Sequence, residues 1–294
     1  MTTRATEQRG PRLTPQQRAY ARKLDEIARR LVTLEDGTIR RMVASLQGLR
    51  QEIAAELLTV DPDSFSAYRL AQLKRNVADI TARFEAQLAA EMRPQFGAIY
   101  EAGGLMAVEP LQAGGISGVF YRPDVARLNV ILDFSADLIK DISGDIQGRI
   151  ETQITRSLLG QITPFQAMKE ITSGRILGIR ASDGVWGRRR RPEVVKGVAA
   201  RAEAILRTEM TRAANLAHHS QQLVNAELEP DLRKRWMATG DNRTRTSHLR
   251  IHAATLAEPI PVDQPFDVGG HELRWPGDPQ GPPGETINCR CRVI

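Results

Sequence analysis

Cysteine is nearly absent: two residues in 294, Cys289 and Cys291. That excludes the disulfide framework of small secreted folds. At i and i+2 of an extended segment the two face one side roughly 6.5–7 Å apart, the edge of bridging distance. Free thiols or metal ligands are the readings left. Aromatics make up only 5%, and with abundant Ala, Leu, Arg and Glu this suits a helix-rich protein. Mean hydropathy is −0.34, and no apolar run approaches the ~18 residues of a membrane span. The first ten residues show no apolar h-region, hence no secretory signal. The expected compartment is a cytoplasm or another soluble one, with no membrane partner. Also missing are a Gly-rich phosphate loop, H-E-x-x-H, a paired-carboxylate motif and any internal repeat.

What is present is basic charge. The net charge is +6 and the pI about 9.7. The surplus is local, with 13 Lys/Arg against seven Asp/Glu between Arg175 and Arg235. It points to nucleic acid or an acidic protein surface, or simply to a soluble protein with a basic tilt. Arg188, Arg189, Arg190 and Arg191 form a candidate DNA-binding run that is equally ordinary as a solvated loop.

Most of the chain is patterned for helix. Residues 1–12 read as a flexible arm. Thr14-Pro15 is an N-cap followed by proline at the first helical position. Apolar residues then recur with a 3.6-residue period to Leu57, broken or bent at Asp36-Gly37. Asp61-Pro62-Asp63 turns the chain into a second helix ending near Arg93-Pro94, so the pair reads as an antiparallel hairpin. Residues 96–119 are mixed. A long helix follows from Val130, Phe134, Leu138, Ile142, Ile146, Ile150, Ile154 and Leu158. Thr163-Pro164 caps a short helix, and another runs from Pro192 to about Glu227. After Pro230 the expectation is short strands around Trp236, Leu273–Trp275 and the last six residues. The predicted fold is mainly α: a long N-terminal helical hairpin, long central helices, and a small C-terminal α+β module with short strands. The predicted division is a helical body over 13–187 and the module over 188–294.

Chemistry-bearing residues crowd the end of the chain. Three of five histidines (His248, His252, His271), both cysteines, and seven of 16 prolines fall there. His248 and His252 stand four apart, so on a helix they share a face. With Cys289 and Cys291 they would make a Cys2His2 zinc set. Against this stand the poor Cys-x-Cys chelate spacing and the alternative of small buried thiols beside hydrogen-bonded histidines. A cysteine nucleophile with His248 or His271 as base, oriented by Asp241, is formally available but lacks any accompanying signature. Glu209 lies on an apolar helical stripe and must be paired or protonated. Arg243 and Arg245 are its expected partners, in a structural lock rather than a catalytic pair.

The order of residues carries a resemblance. Arg207-Thr-Glu209 and Asn215 come first, then Trp236, Asp241-x-Arg243-Thr-Arg245-x-Ser-His248, Pro265-Phe266 and Gly269-Gly270. Leu273-x-Trp-Pro276-Gly277-Asp278-Pro279 and Asn288-Cys289-Arg-Cys291 complete it. From about Ile171 to Ile294 this resembles the Mu F-like minor head protein family of tailed bacteriophages. The resemblance implies a non-enzymatic virion protein of head morphogenesis and DNA packaging or ejection. It implies association with the portal and head interior, and host cytoplasm during assembly. The implied partners are the portal protein, the major capsid protein or scaffold, and phage genomic DNA. Some relatives carry Cys-x-x-Cys where this chain has Arg243–Ser247, so the comparison weakens the case for zinc; no other cofactor is implied. The matching positions form an expected polar network: Arg207, Glu209, Asn215, Asp241, Arg243, Arg245, His248, Asp278, Asn288, Cys289 and Cys291. The alternatives are a metal- or thiol-dependent enzyme acting on nucleic acid, or a plain DNA-binding or scaffolding protein.

Overall fold

The computed structural model describes residues 13–58, 67–172 and 198–294. Their helices are α1 (Pro15–Leu58), α2 (Ala67–Met106), α3 (Glu109–Ala113), α4 (Val125–Leu158), α5 (Pro164–Thr172), α6 (Val198–Ala226), α7 (Thr246–Ala257) and α8 (Pro283–Thr286). The strands are β1 (Arg233–Lys234), β2 (Trp236–Met237), β3 (Ile260–Pro261), β4 (Phe266–Val268), β5 (His271–Leu273) and β6 (Arg292–Val293). The mainly helical fold with a small stranded C-terminal region is as the patterning predicts. The boundary drawn at residue 188 lies outside the described residues.

Two expected helix starts take the form of capping boxes. Thr14 Oγ1 accepts from Gln17 N at 3.1 Å while Gln17 Oε1 accepts from Thr14 N at 2.9 Å. Thr163 and Gln166 repeat the exchange ahead of α5. Each satisfies orphan N–H donors of a first turn.

The long helices run antiparallel, as their cross-links show. Arg41, Ser45, Glu52 and Glu56 of α1 meet Gln95, Glu91, Arg83 and Asn76 of α2, in reverse order. Lys74 and Glu85 of α2 meet Thr155 and Ser143 of α4 in the same sense. One apolar core fills the space between them, with Leu31, Met42, Leu46, Ile53, Val77, Met92, Phe96 and Ile146 fully enclosed. α6 joins this core through Ala202, Leu206, Met210 and Ala214.

Three readings of the pattern need correction. α1 is continuous through Asp36-Gly37, because Leu31, Glu35, Thr38 and Met42 keep one buried face on both sides. A single glycine, costing about 1 kcal/mol in a helix interior, does not outweigh that burial. α2 runs through Pro94 to Met106. Pro94 is exposed while Met92 and Phe96 are enclosed, so water can serve the carbonyl that loses its N–H partner. On α4, Val130 and Phe134 are exposed, and Leu132, Ser135 and Ile139 face the core. A strict four-residue spacing drifts by about 40° per step around a helix of 3.6 residues per turn, so the buried face changes register.

The C-terminal strands make three antiparallel pairs: β1 with β3, β2 with β6, and β4 with β5. The β4–β5 hairpin turns on Gly269 and Gly270 at φ 63° and 83°, the left-handed backbone that a two-residue hairpin loop requires. Trp236, Phe266, Val268, Leu273, Trp275, Cys289, Cys291 and Val293 form a second core. The terminal strand ties this module to α1 and the main core. Arg292 of β6 pairs with Glu35 of α1, both nearly enclosed, and Ile294 packs into the main core.

α2 crosses α6 at Gly103, where a methyl group would stand 2.3 Å from the Ala214 carbonyl oxygen. Gly97, one helical stretch earlier, has open space at the same position. Two substitutions should therefore move stability in opposite directions in urea unfolding. Gly103→Ala is expected to destabilise by about 1–3 kcal/mol through overpacking. Gly97→Ala is expected to stabilise by roughly 0.5–1 kcal/mol through helix propensity. Equal shifts of the same sign would refute the close crossing.

Candidate functional site

α6 presents a polar row to the C-terminal segments, and Asn215 is its centre. Its side chain is fully buried. The amide nitrogen donates to Pro276 O and Cys291 O, both at 2.9 Å, and its oxygen accepts from Val293 N at 3.0 Å. One side chain thus ties α6 to the 276–278 loop and to the terminal strand. One and two turns back along α6, Arg212 Nε donates to Gly277 O at 3.0 Å, and Thr208 Oγ1 accepts from Asn288 N at 2.9 Å. Gly277 takes φ 86° and its Cα faces the Arg212 backbone. Asp278, also fully buried, accepts from the backbone and guanidinium of Arg274 and from Gln280 N. Burial alone would raise its carboxyl, but the Arg274 bonds outweigh that and hold it below the usual range.

Helix α7 delivers His248 to the terminal thiols. His248 Nδ1 lies 3.3 Å from Cys291 Sγ and 3.8 Å from Cys289 Sγ, with all three residues about 2% exposed. The three donor atoms lie within 4.8 Å of one another. The Cys289 hydrogen bond, then the neighbouring His248, favour thiolate at Cys291, while that same bond and burial push the Cys289 thiol up. Glu285 Oε2 stands 3.0 Å from His248 Nε2, without hydrogen-bond alignment, and accepts from Ser247 Oγ at 2.8 Å. Two sulfur donors and one imidazole nitrogen are zinc-type ligands with a carboxylate behind the ring, but they are one protein ligand short of a closed tetrahedral site.

The fourth expected ligand is elsewhere. His252 shares the helix, but its Nδ1 faces Trp236 O at 2.9 Å. One turn along α7 the neighbour is strand backbone instead of thiol, so the set is Cys2His, not Cys2His2. His271 is exposed on β5. Asp241 does not orient His248: it is held by Arg290 at 2.7 Å and by Thr244, and these bonds, Arg290 first, pull its carboxyl down to about 2.

Glu209 is paired, but with neither expected arginine. Arg212, one turn on, reaches both its oxygens at 2.7 and 2.8 Å, and burial raises its carboxyl against that pull. A partner three residues away needs no tertiary approach, so it wins over the loop. Arg207 pairs with Glu203 at 2.9 Å, and Arg245 donates to Ile287 O at 2.7 Å. Arg243 is exposed. Arg188–Arg191 lie outside the described residues.

Sequence reasoning missed Lys234, Glu285, Arg212 and the Glu35–Arg292 pair. Lys234 is fully enclosed, donates to Arg274 O at 3.0 Å, and lies 4.8 Å above the Phe266 ring. Burial lowers its ammonium to about 8. The alternation Arg233-out, Lys234-in was its one available signal.

His218 and His219 are also buried on α6, and burial pushes both down to about 3. A folded value below the ordinary 6.5 means that the unfolded chain takes up protons first as pH falls. Stability is thus fully present above about pH 6.5 and is lost as pH falls toward 3. The urea midpoint should decline across that window. His219→Phe, which keeps a ring 5.0 Å from that of Trp275, should flatten the decline. A parental slope in the variant would refute this.

No solved structure matches the chain. It is 31% identical over 90 residues to an NAD(+)–arginine ADP-ribosyltransferase, EFV, of Enterococcus faecalis, covering 31% of this chain and 18% of that protein. It is 32% identical over 113 residues to the Mu-like prophage FluMu F protein of Haemophilus influenzae, covering 37% and 23%. The matches thus span about a fifth of the length of these curated relatives. The model of the Phage Mu protein F like protein family matches residues 149–294. That stretch holds α6, the Asn215 lock and the whole stranded module, and through it the chain belongs to the Mu F-like family of phage proteins.

Proposed function

We propose that this protein is a non-enzymatic minor head protein of a tailed bacteriophage, working at the portal and head interior in head morphogenesis and DNA packaging or ejection. Family membership supports a phage head-related role. The observation that carries the non-enzymatic reading is the enclosure of the His248–Cys289–Cys291 cluster. Groups only about 2% exposed hold strands together and meet no substrate, which counts against a thiol-dependent enzyme. In this reading the helical bundle docks on the portal protein, with the major capsid protein or scaffold as further neighbours and genomic DNA close by. Exposed Phe120, Val125, Val130 and Phe134 offer apolar surface of the kind that marks contacts. No described helix is long and apolar enough to cross a membrane.

Co-expression of the full chain with the portal protein of the same phage should give a complex that co-sediments. Val130→Asp with Phe134→Asp should weaken it at least tenfold with an unchanged melting temperature. Absence of the protein from purified virions by mass spectrometry would overturn the reading.

We infer as well that the three-donor cluster would hold a zinc whose fourth position is not filled by a described protein ligand. Its chemistry would be to neutralise thiolate and tie α7 to the terminal segment. Purified protein is expected to take up about one zinc per chain by metal analysis, with a raised melting temperature, and Cys291→Ser should lose both. Uptake unchanged in that variant would exclude the site.

A further inference from the structure

A second cluster lies on the other side of the 241–245 loop. Arg207 of α6, Arg243 and Arg245 of the loop before α7, and Arg290 between the two cysteines line one cleft of about 360 Å³, with Glu203 and Asn288. Three separate stretches of chain therefore bring four guanidinium groups to one hollow. Acidic side chains meet only two of them: Glu203 pairs with Arg207, and Asp241, outside the cleft lining, pairs with Arg290. Arg245 is met by a neutral carbonyl, Ile287 O. The Arg243 guanidinium has no partner among the described residues, and its backbone N–H is fixed by Asp241 at 3.1 Å. Two positive charges thus share the hollow without an acidic partner. Asn288 stands at the rim with φ 56°. Its backbone is held by Thr208, and its side-chain amide makes no hydrogen bond among the described residues.

We propose that this cleft binds phosphate groups. Guanidinium forks match the paired oxygens of a phosphate, and like charges gathered in one hollow gain most from an anion that neutralises them together. The polar lock serves the cleft directly: Thr208–Asn288 and Thr239–Arg290 O fix the backbone from which Arg290 projects, and Asp241 holds its guanidinium. Arg207 and Arg245 are likewise held, by Glu203 and Ile287, so the cleft is formed before any ligand arrives. Arg243 is the free arm that closes on the anion. The phosphate can come from a nucleic-acid backbone or from a free phosphate or pyrophosphate. Only the choice of DNA as the physiological source rests on the head-interior reading; phosphate binding itself does not.

Binding is measured on the full chain, by fluorescence anisotropy with a labelled 20-base-pair duplex and by calorimetry with pyrophosphate, at two salt concentrations. Arg243→Glu changes an exposed side chain and should leave the melting temperature unchanged. It is expected to weaken binding at least tenfold and, for the duplex, to lower the salt dependence by about one phosphate contact. Arg250→Glu removes the same charge from the exposed side of α7, outside the cleft, and should leave binding within about twofold. Duplex and pyrophosphate competing for the site would identify a backbone phosphate as the ligand. Pyrophosphate binding without duplex binding would support the cleft and assign it to small anions. Failure of both probes to bind, or equal losses in the two variants, would overturn the proposal. Portal co-sedimentation is read separately, so either idea can fail alone.

Discussion

The Asn215 amide is held from three directions inside the protein: by the carbonyl of the 276–278 loop, by the carbonyl of Cys291 and by the N–H of Val293. Each of those backbone groups is buried away from water and would be orphaned without it, at roughly 1–3 kcal/mol apiece. The demand is geometric as well. Only a side chain with a donor and an acceptor on one planar group can serve a carbonyl pair and an N–H from a single helical position. The strands around it are two or three residues long, too short to set their own register. Their places follow from α6: Asn215 fixes β6, β6 fixes β2, and the β2–β6 pair sets where Cys291 meets His248.

The same dependence links the module to the bundle. Glu35 and Arg292 form a charge pair removed from water on both sides, and the second terminal nitrogen of Arg292 has no partner. Breaking such a pair strands a buried charge, at a cost of about 3–5 kcal/mol, though an apolar replacement of both can be neutral. The pair therefore acts less as glue than as a statement of position: β6 belongs against the middle of α1 and nowhere else. With Ile294 in the bundle core, the family-specific half and the N-terminal helices share one structural unit.

Much of this was legible beforehand, for identifiable reasons. The caps at Thr14 and Thr163 rest on contacts three residues apart, and the long stripes mark α1, α2 and α4 as helices, whereas Gly37 and Pro94 read locally as breaks that only the buried faces on both sides override. The order of the polar residues in the last third gave the family. What could not be read were partners set by tertiary approach. Nothing local says that Glu285 stands behind His248, that Glu35 awaits an arginine 257 residues away, or that Lys234 faces inward over Phe266. His252 was misplaced for the opposite reason: an i, i+4 rule gives a common helix face, but not what lies opposite each turn of it.

The unbroken course of α1 has a mechanical meaning. At 1.5 Å per residue its 44 residues make a rod of roughly 66 Å, with the Glu35–Arg292 pair near its middle. Gly37 sits beside that contact without a hinge, so the far half of α1 continues as a straight segment of about 35 Å packed along α2. Because that half is cross-linked to α2 at Ser45, Glu52 and Glu56 and buries Leu46, Leu49 and Ile53, the helical tip and the terminal strand belong to one stiff body rather than to parts joined by a bend.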